Sequence, residues 1–174
     1  FHASKDPGMA RKLKLGIKIS NLLKKVNIDI TKKLFAVIHE NFGGHLRLFI
    51  SGAAGIDPMV AKGFRDIGIK LIQGYGLTEC SPILAVNRDV DFKDDAAGIP
   101  MPNVEIRIDS PNKEGVGEII AKGPNVMLGY FENPEANKHA FKDGWFFTGD
   151  LGYIDNDGFL HITGRKKDVI VTKN

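Results

Sequence analysis

The sequence predicts an α/β portion followed by a small β-rich, barrel-like subdomain. Three observations carry this expectation. Residues 46 to 79 read strand, helix, strand, with glycine-rich turns at the strand ends. From about residue 90 the chain becomes a series of short apolar runs separated by Gly, Pro, Asn and Asp. Its 174 residues, 43% hydrophobic and 26% charged, suit one domain or one and a part, with enough apolar residues for a packed core.

Residues 11 to 30, "RKLKLGIKISNLLKKVNIDI", read as an amphipathic helix with Leu15, Ile19, Leu22, Leu23 and Val26 on one face and Lys14, Lys18, Lys24 and Lys25 mostly off it. Such a face suits a membrane surface or an acidic partner. It equally suits a packed helix with a solvated lysine side. Charge is uneven along the chain: residues 1 to 33 hold nine Lys/Arg against two acids, and the remainder fifteen against nineteen. The overall charge of +3 therefore belongs to the N-terminal segment.

"TKKLFAVIHENFGG" reads as a second helix, with Thr31 as N-cap and Gly43 and Gly44 as its stop. "LRLFISG" reads as a buried strand. "DPMVAKGFRDIG" reads as a helix with Asp57 as cap, Pro58 in its first turn and Gly68 as terminator. "IKLIQGYG" returns as a strand. Beyond a boundary near residues 88 to 96, "VEIRID", "GEIIAKG", "WFFTGD", "GYIDNDGFLHITG" and "DVIVT" read as strands, with a hairpin turn at "DNDG". One helix, "NPEANKHAF", interrupts them, capped by Asn133 with Pro134 at its first position. The domain expectation is 1–90 for the helical and α/β portion and 91–166 for the β-rich subdomain. Phe1 in place of an initiator Met, and an apolar run stopping at Asn174, lead us to expect a piece of a longer protein.

The stretch "GYGLTECSP", residues 74 to 82, combines bare backbone at Gly74 and Gly76, a flat aromatic face at Tyr75, a hydroxyl at Thr78 and a carboxylate at Glu79. Those groups fit a magnesium–nucleotide site, since Mg²⁺ takes one or two carboxylates beside substrate phosphates. They also fit a strand-to-helix turn with a capping Thr. "ISGAAG", holding Gly52, Ala53 and Ala54, leaves room for a ligand or simply makes a turn. Asp150, after a glycine at an expected strand end, can accept both hydroxyls of a ribose or serve as a turn aspartate. Arg165 in "GRKKD" can contact phosphate or ribose, or belong to a basic turn.

Other chemistries find no support. There is no G-x-x-x-x-G-K-[ST], G-x-G-x-x-G or H-E-x-x-H pattern, and the five histidines do not cluster at metal-ligand spacings. The single cysteine, Cys80, allows no internal disulfide and has no obvious base nearby in sequence. Aromatics do not interleave with a basic patch, so no nucleic-acid partner is expected. No apolar run approaches a membrane span and nothing reads as a signal peptide, so the expected location is cytoplasmic, with peripheral membrane contact through the N-terminal helix as the variant.

Taken in order and spacing, "SGAA", "GYGLTE", "WFFTGDLGYIDNDGFLHITGR" and "GRKKDVIV" closely resemble the adenylate-forming superfamily, over roughly residues 34 to 174. Within it, the leucine of "YGLTE" and the wording of "GWFFTGD" and "GRKKDVIVT" resemble long-chain fatty acid–CoA ligases. The resemblance implies ATP, Mg²⁺ and CoA, with a fatty acid as the acid. It implies that Tyr75 stacks on adenine beside Gly74 and Gly76, that Thr78 contacts the α-phosphate and that Glu79 holds Mg²⁺. Gly52, Ala53 and Ala54 would line the adenine and acyl pocket, Asp150 the ribose, Arg165 the ribose or phosphate, and Lys167 would be the hinge, with 167–174 the hinge and the start of a C-terminal domain. The family's "SGTTG…K" phosphate loop and its catalytic C-terminal lysine have no counterpart here, and Lys173 does not match the latter's motif. The 174 residues alone are therefore expected to be inactive, and exposed apolar surface to favour self-association. Rival expectations are an adenylating enzyme for an aryl acid or a carrier-protein acceptor, a noncatalytic nucleotide-binding module, and a membrane-associated adaptor.

Overall fold

The computed structural model describes residues 7–52 and 55–168. Two compact units divide the chain: residues 1–49 with 58–71, and residues 50–57 with 72–174. The change of texture near residues 88 to 96 thus falls inside the second unit.

The first unit opens with α1 (Pro7–Lys24). This helix ends six residues before the expected position, where Asn27 takes a left-handed φ of 59° and Ile28 N turns back onto Leu23 O. The apolar face read from the sequence is also not the packed one. Leu15, Ile19, Leu22 and Val26 are 45–66% exposed, whereas Gly16 and Ser20 are buried. A Cβ on Gly16 would already stand 3.4 Å from Leu34 and Phe35. Small residues four apart let the helix backbone approach its neighbours, and closeness of packing outweighs the count of large apolar side chains.

The expected helix over 31–44 is two short ones, α2 (Thr31–Leu34) and α3 (Ala36–Asn41), broken where Phe35 leaves helical geometry and buries its ring. Thr31 does not cap. It is the first helical residue, and its amide and hydroxyl both donate to Asp29 Oδ1, at 2.9 and 2.5 Å. Those bonds hold the Asp29 carboxyl below its ordinary pKa. Gly43 and Gly44, at φ 80° and 73°, stop α3 as expected. After β1 (Leu48–Ser51) comes α4 (Pro58–Asp66), whose Asp66 accepts from Asn21 of α1 at 3.0 Å and whose Arg65 carbonyl accepts from Lys24 at 3.4 Å. A cation on the last carbonyls of a helix is favourable there. β1 is not the buried strand expected: Ile50 is 56% exposed, because β1 is the edge of its sheet.

That sheet runs β1, β2 (Lys70–Gly76), β3 (Ile83–Val86), β4 (Ile99–Pro100), with β2–β3 and β3–β4 antiparallel. The sequence reading had no strand at β3 or β4. The second sheet is antiparallel and holds β5 (Glu105–Asp109), β6 (Gly117–Lys122), β7 (Phe141–Lys142), β8 (Trp145–Ile154) and β9 (Leu160–Arg165). The order is β5–β6–β8–β7, with β9 also on β8, so β8 has three partners along its length. "WFFTGD" and "GYI", expected as separate strands, are this single strand. α5 (Pro134–Ala140) forms as expected, with Asn133 Oδ1 accepting from Ala136 N at 3.1 Å. The core gathers Tyr75, Cys80, Leu84, Ala85, Ile119, Ala121, Phe146 and Leu160. The run "DVIVT" passes out of the described residues after Asp168.

Candidate nucleotide site

"GYGLTECSP" is the connection between antiparallel β2 and β3, not a strand-to-helix turn. A short 3-10 turn, Thr78–Cys80, makes the reversal, followed by Ser81 at φ 54°. Thr78 makes no side-chain cap there. Leu77 N donates to Pro82 O at 2.8 Å. A Cβ on Gly76 would overlap that same carbonyl, so only glycine fits.

Beside this turn the second unit encloses a cavity of about 510 Å³. Residues 73–76, 95–97 and 162–165 line it, with Gly52, Gly55, Asp150 and Asp168. Its size falls in the range of small-molecule sites, about 300–1,000 Å³. The polar centre is Asp150. This residue sits inside β8 rather than at a strand end, 7% exposed, directly opposite Arg165 on β9. Tyr75 OH donates to Asp150 Oδ2 at 2.7 Å, and Arg165 Nε approaches Oδ1 at 3.1 Å. Burial pushes the Tyr75 hydroxyl well above its ordinary pKa, and the neighbouring carboxylate adds to the shift, so it stays a donor. Arg165 leaves most of its side chain, 72%, exposed. A buried carboxylate held by one buried donor and one exposed cation, at the edge of an open cavity, can accept further hydrogen bonds from a hydroxyl-bearing ligand.

Gly52, Gly74, Tyr75, Gly76, Asp150 and Arg165 therefore come together on one cavity. Ala53 and Ala54 lie outside the described residues. Thr78 and Glu79 are not among the lining residues. Thr78 is exposed, and Glu79 is partly buried with Oε1 accepting from Tyr130 OH at 2.9 Å. Tyr130 is pinned in turn by Asn137, which accepts from Tyr130 N at 2.6 Å and donates to its carbonyl at 3.0 Å. Lys167 is exposed in the 3-10 turn Lys166–Asp168. Among the described residues no three His, Cys, Asp or Glu side chains gather as a metal cluster.

Sequence reasoning missed the cavity wall. Gln73 Oε1 accepts from Ile56 N at 3.0 Å, and its Nε2 donates to Asp94 O at 2.5 Å. Asn87 holds Ala96 O at 2.8 Å and accepts from Lys93 N at 3.1 Å. The available signal was an amide inside the otherwise apolar strand "KLIQGYG", since buried amides need partners.

A buried carboxylate on an open cavity lined by small residues is the geometry of a small-molecule site. The chain belongs to the AMP-binding enzyme family, which matches residues 7–131. It is 41% identical over 133 residues to a long-chain-fatty-acid–CoA ligase of Salmonella typhimurium, covering 72% of this chain and 24% of that protein. It is 39% identical over 134 residues to a feruloyl-CoA synthase of Amycolatopsis sp., covering 73% of this chain and 27% of the relative. The ATP-bound crystal structure of MatB from Rhodopseudomonas palustris superposes with a TM-score of 0.67 at 39% identity, covering 73% of this chain and 27% of that one. The chain spans about a quarter of the length of the curated relatives it matches.

Proposed function

We propose that this chain is the adenosine-binding part of an ATP-dependent acid–CoA ligase acting on long-chain fatty acids. The carrying observation is the Tyr75–Asp150–Arg165 constellation on the 510 Å³ cavity. In this reading Asp150 accepts from the two ribose hydroxyls, Tyr75 offers its ring to the base, and Arg165 swings to ribose or phosphate. The family relationship supports the reading, and β5 to β9 would be the barrel-like subdomain of such an enzyme.

The reaction has two halves. A carboxylate oxygen of the acid attacks the α-phosphorus of ATP, the bond to the β-phosphate oxygen breaks, and pyrophosphate leaves. The thiol of CoA then attacks the acyl carbon, AMP departs with the bonding electrons, and the thiol proton passes to solvent or a base. The protein's contribution is positioning and charge stabilisation. Thr78, exposed on its turn, would donate to an α-phosphate oxygen. Glu79 fits a magnesium ion: a single hard carboxylate, with only one oxygen engaged by Tyr130, suits a metal whose remaining ligands are phosphate and water. Bound there, the ion would neutralise phosphate charge. Lys167 would serve as the hinge for a mobile C-terminal region.

ATP–pyrophosphate exchange in the full-length polypeptide, across short, medium, long and aromatic acids, tests the proposal. Exchange that rises with long acids and collapses in Glu79→Ala supports it. Exchange confined to aromatic acids would favour the aryl-acid reading, which the 39% identity to a feruloyl-CoA synthase keeps in view. Tight ATP binding without exchange, insensitive to Mg²⁺, would replace both with a noncatalytic nucleotide-binding module.

The exposed Leu15, Ile19 and Leu22 of α1 and Val26 just beyond it, beside exposed Lys14, Lys18 and Lys25, support a second role: peripheral contact with an anionic membrane surface. Among the described residues no helix is long and apolar enough to cross a membrane. Sedimentation with anionic but not zwitterionic vesicles, lost in Leu22→Glu, is the expected result. Equal recovery with both vesicle types would exclude it.

A further inference from the structure

Glu118 on β6 is a buried acid, 8% exposed, that is not among the residues lining the cavity around Asp150 and is followed by the apolar run Ile119, Ile120, Ala121. Its Oε1 accepts from Gly149 N at 3.1 Å, and its Oε2 accepts from Lys166 Nζ at 2.7 Å. These partners are the residue directly before Asp150 and the residue directly after Arg165. One carboxylate thus ties together the outer flanks of the pair that centres the cavity.

The local backbone explains why such a tie is needed. Between Glu118 and Ile120 the β6–β8 register shifts: Glu118 faces Leu151, yet Ile120 faces Phe147. β8 therefore bulges over residues 148–150, and Gly149 takes φ 76°. In the bulge, side chains supply hydrogen bonds that a regular ladder would provide. Thr148 Oγ1 accepts from Asp150 N at 3.1 Å and donates to Ile119 O at 2.8 Å, while Glu118 takes the Gly149 amide. A bulge re-aims the side chain beside it, here Asp150.

We infer that Glu118 is a positioning residue that holds this bulge and, through Lys166, the end of β9, so that Asp150 and Arg165 face the ribose hydroxyls of the bound nucleotide. The inference rests on the nucleotide reading above. It touches no reacting atom; it acts through Asp150 and Arg165. Burying a carboxylate is costly unless it is paired and hydrogen-bonded, and both requirements are met by the two groups it orients.

The test is the ratio of affinities for AMP and 2′,3′-dideoxy-AMP, measured by titration calorimetry on the full-length polypeptide, with thermal melts run alongside. The wild type should prefer AMP by about tenfold or more, the effect of charge-assisted hydrogen bonds to the ribose. Glu118→Asp, which draws the carboxylate back by one methylene, should cut that preference several-fold. Glu118→Gln, which can still accept from Gly149 N but turns an amide donor toward Lys166 Nζ, keeps one half of the tie and should give a smaller loss. A folded Glu118→Asp protein with an undiminished ratio overturns the inference, as does a folded Glu118→Gln protein with an undiminished ratio. Should Glu118→Asp not fold, Lys166→Met decides: a ratio equal to wild type then overturns it. A wild type with no preference for AMP refutes the nucleotide reading itself, a failure visible before any variant is made.

Discussion

Asp150 and Arg165 face each other across β8 and β9, and Arg165 Nε reaches Asp150 Oδ1 at 3.1 Å. The two ends of this contact differ in burial, and so should their variants. Arg165→Ala removes an exposed cation, and exposed ion pairs contribute about 0–1 kcal/mol, so the melting temperature should hardly move while AMP affinity falls. Asp150→Ala strands the buried Tyr75 hydroxyl and should cost about 1–3 kcal/mol of stability as well as binding. Denaturant melts beside AMP titrations separate the two, and equal destabilisation by both variants would contradict this division.

The motif glycines should not behave alike. A Cβ at Gly76 overlaps the Pro82 carbonyl, which cannot move without opening the β2–β3 turn. Gly76→Ala should therefore destabilise by about 1–3 kcal/mol or more, as overpacking does. The nearest atom to a Cβ at Gly52 is Gly74 O at 3.7 Å, an ordinary contact. Gly52→Ala should stay within about 0.5 kcal/mol of wild type and act, if at all, on ligand binding. Urea midpoints for both variants check the contrast.

Cys80 is fully buried, and burial, with the Glu79 charge beside it, pushes its thiol up to about 12. The thiolate is the reactive form, so the native protein should resist aromatic disulfide reagents at pH 8 and react fully once unfolded in guanidinium. Rapid labelling of the native chain would place the thiol elsewhere.

Lys93 bridges Asp155 and Asp157, each at 2.6 Å, and His161 reaches Asp155 at 3.0 Å. Lys93 first, then His161 and the Phe159 and Asp157 amides, hold the Asp155 carboxyl below the usual range against the opposing effect of burial. A carboxyl whose pKa falls on folding stabilises the fold when ionised. That stabilisation is complete above the ordinary carboxylate pKa, about 3.9, and is lost as pH drops below it toward the depressed folded value. Asp155→Asn should therefore be less stable than wild type at pH 7, with the gap closing as the medium is acidified below about pH 4. Urea midpoints measured from pH 7 to pH 2 give the answer; a gap independent of pH would assign the effect to shape rather than charge.

Local signals carried much of this structure. Glycine stops, Pro58 and Pro134 in first turns, and the "DNDG" hairpin all act within a few residues, so α4, α5 and the β8–β9 turn were legible. What was not legible depends on distant partners. The packed side of α1 is decided by Gly16 meeting Leu34 and Phe35, which no periodicity in α1 reveals. β3 hid behind Ser81 and Pro82, residues that read as loop. Of the residues singled out through their motifs, Gly52, Gly74, Tyr75, Gly76, Asp150 and Arg165 line one cavity. Tyr75's bond to a carboxylate 75 positions away, and the amides of Gln73 and Asn87 that fix the wall, required the folded chain.

The turn at residues 77–83 is held from outside. Asn125 Nδ2 donates to both Cys80 O and Ile83 O at 2.9 Å, and Met127 N donates to Glu79 O at 2.8 Å. The conformational entropy of ordering Thr78 and Glu79 has thus been met during folding. On the proposed reading, a nucleotide reaching Thr78 and Glu79 would find their backbone already set, so little of its binding free energy would be diverted to arranging the loop.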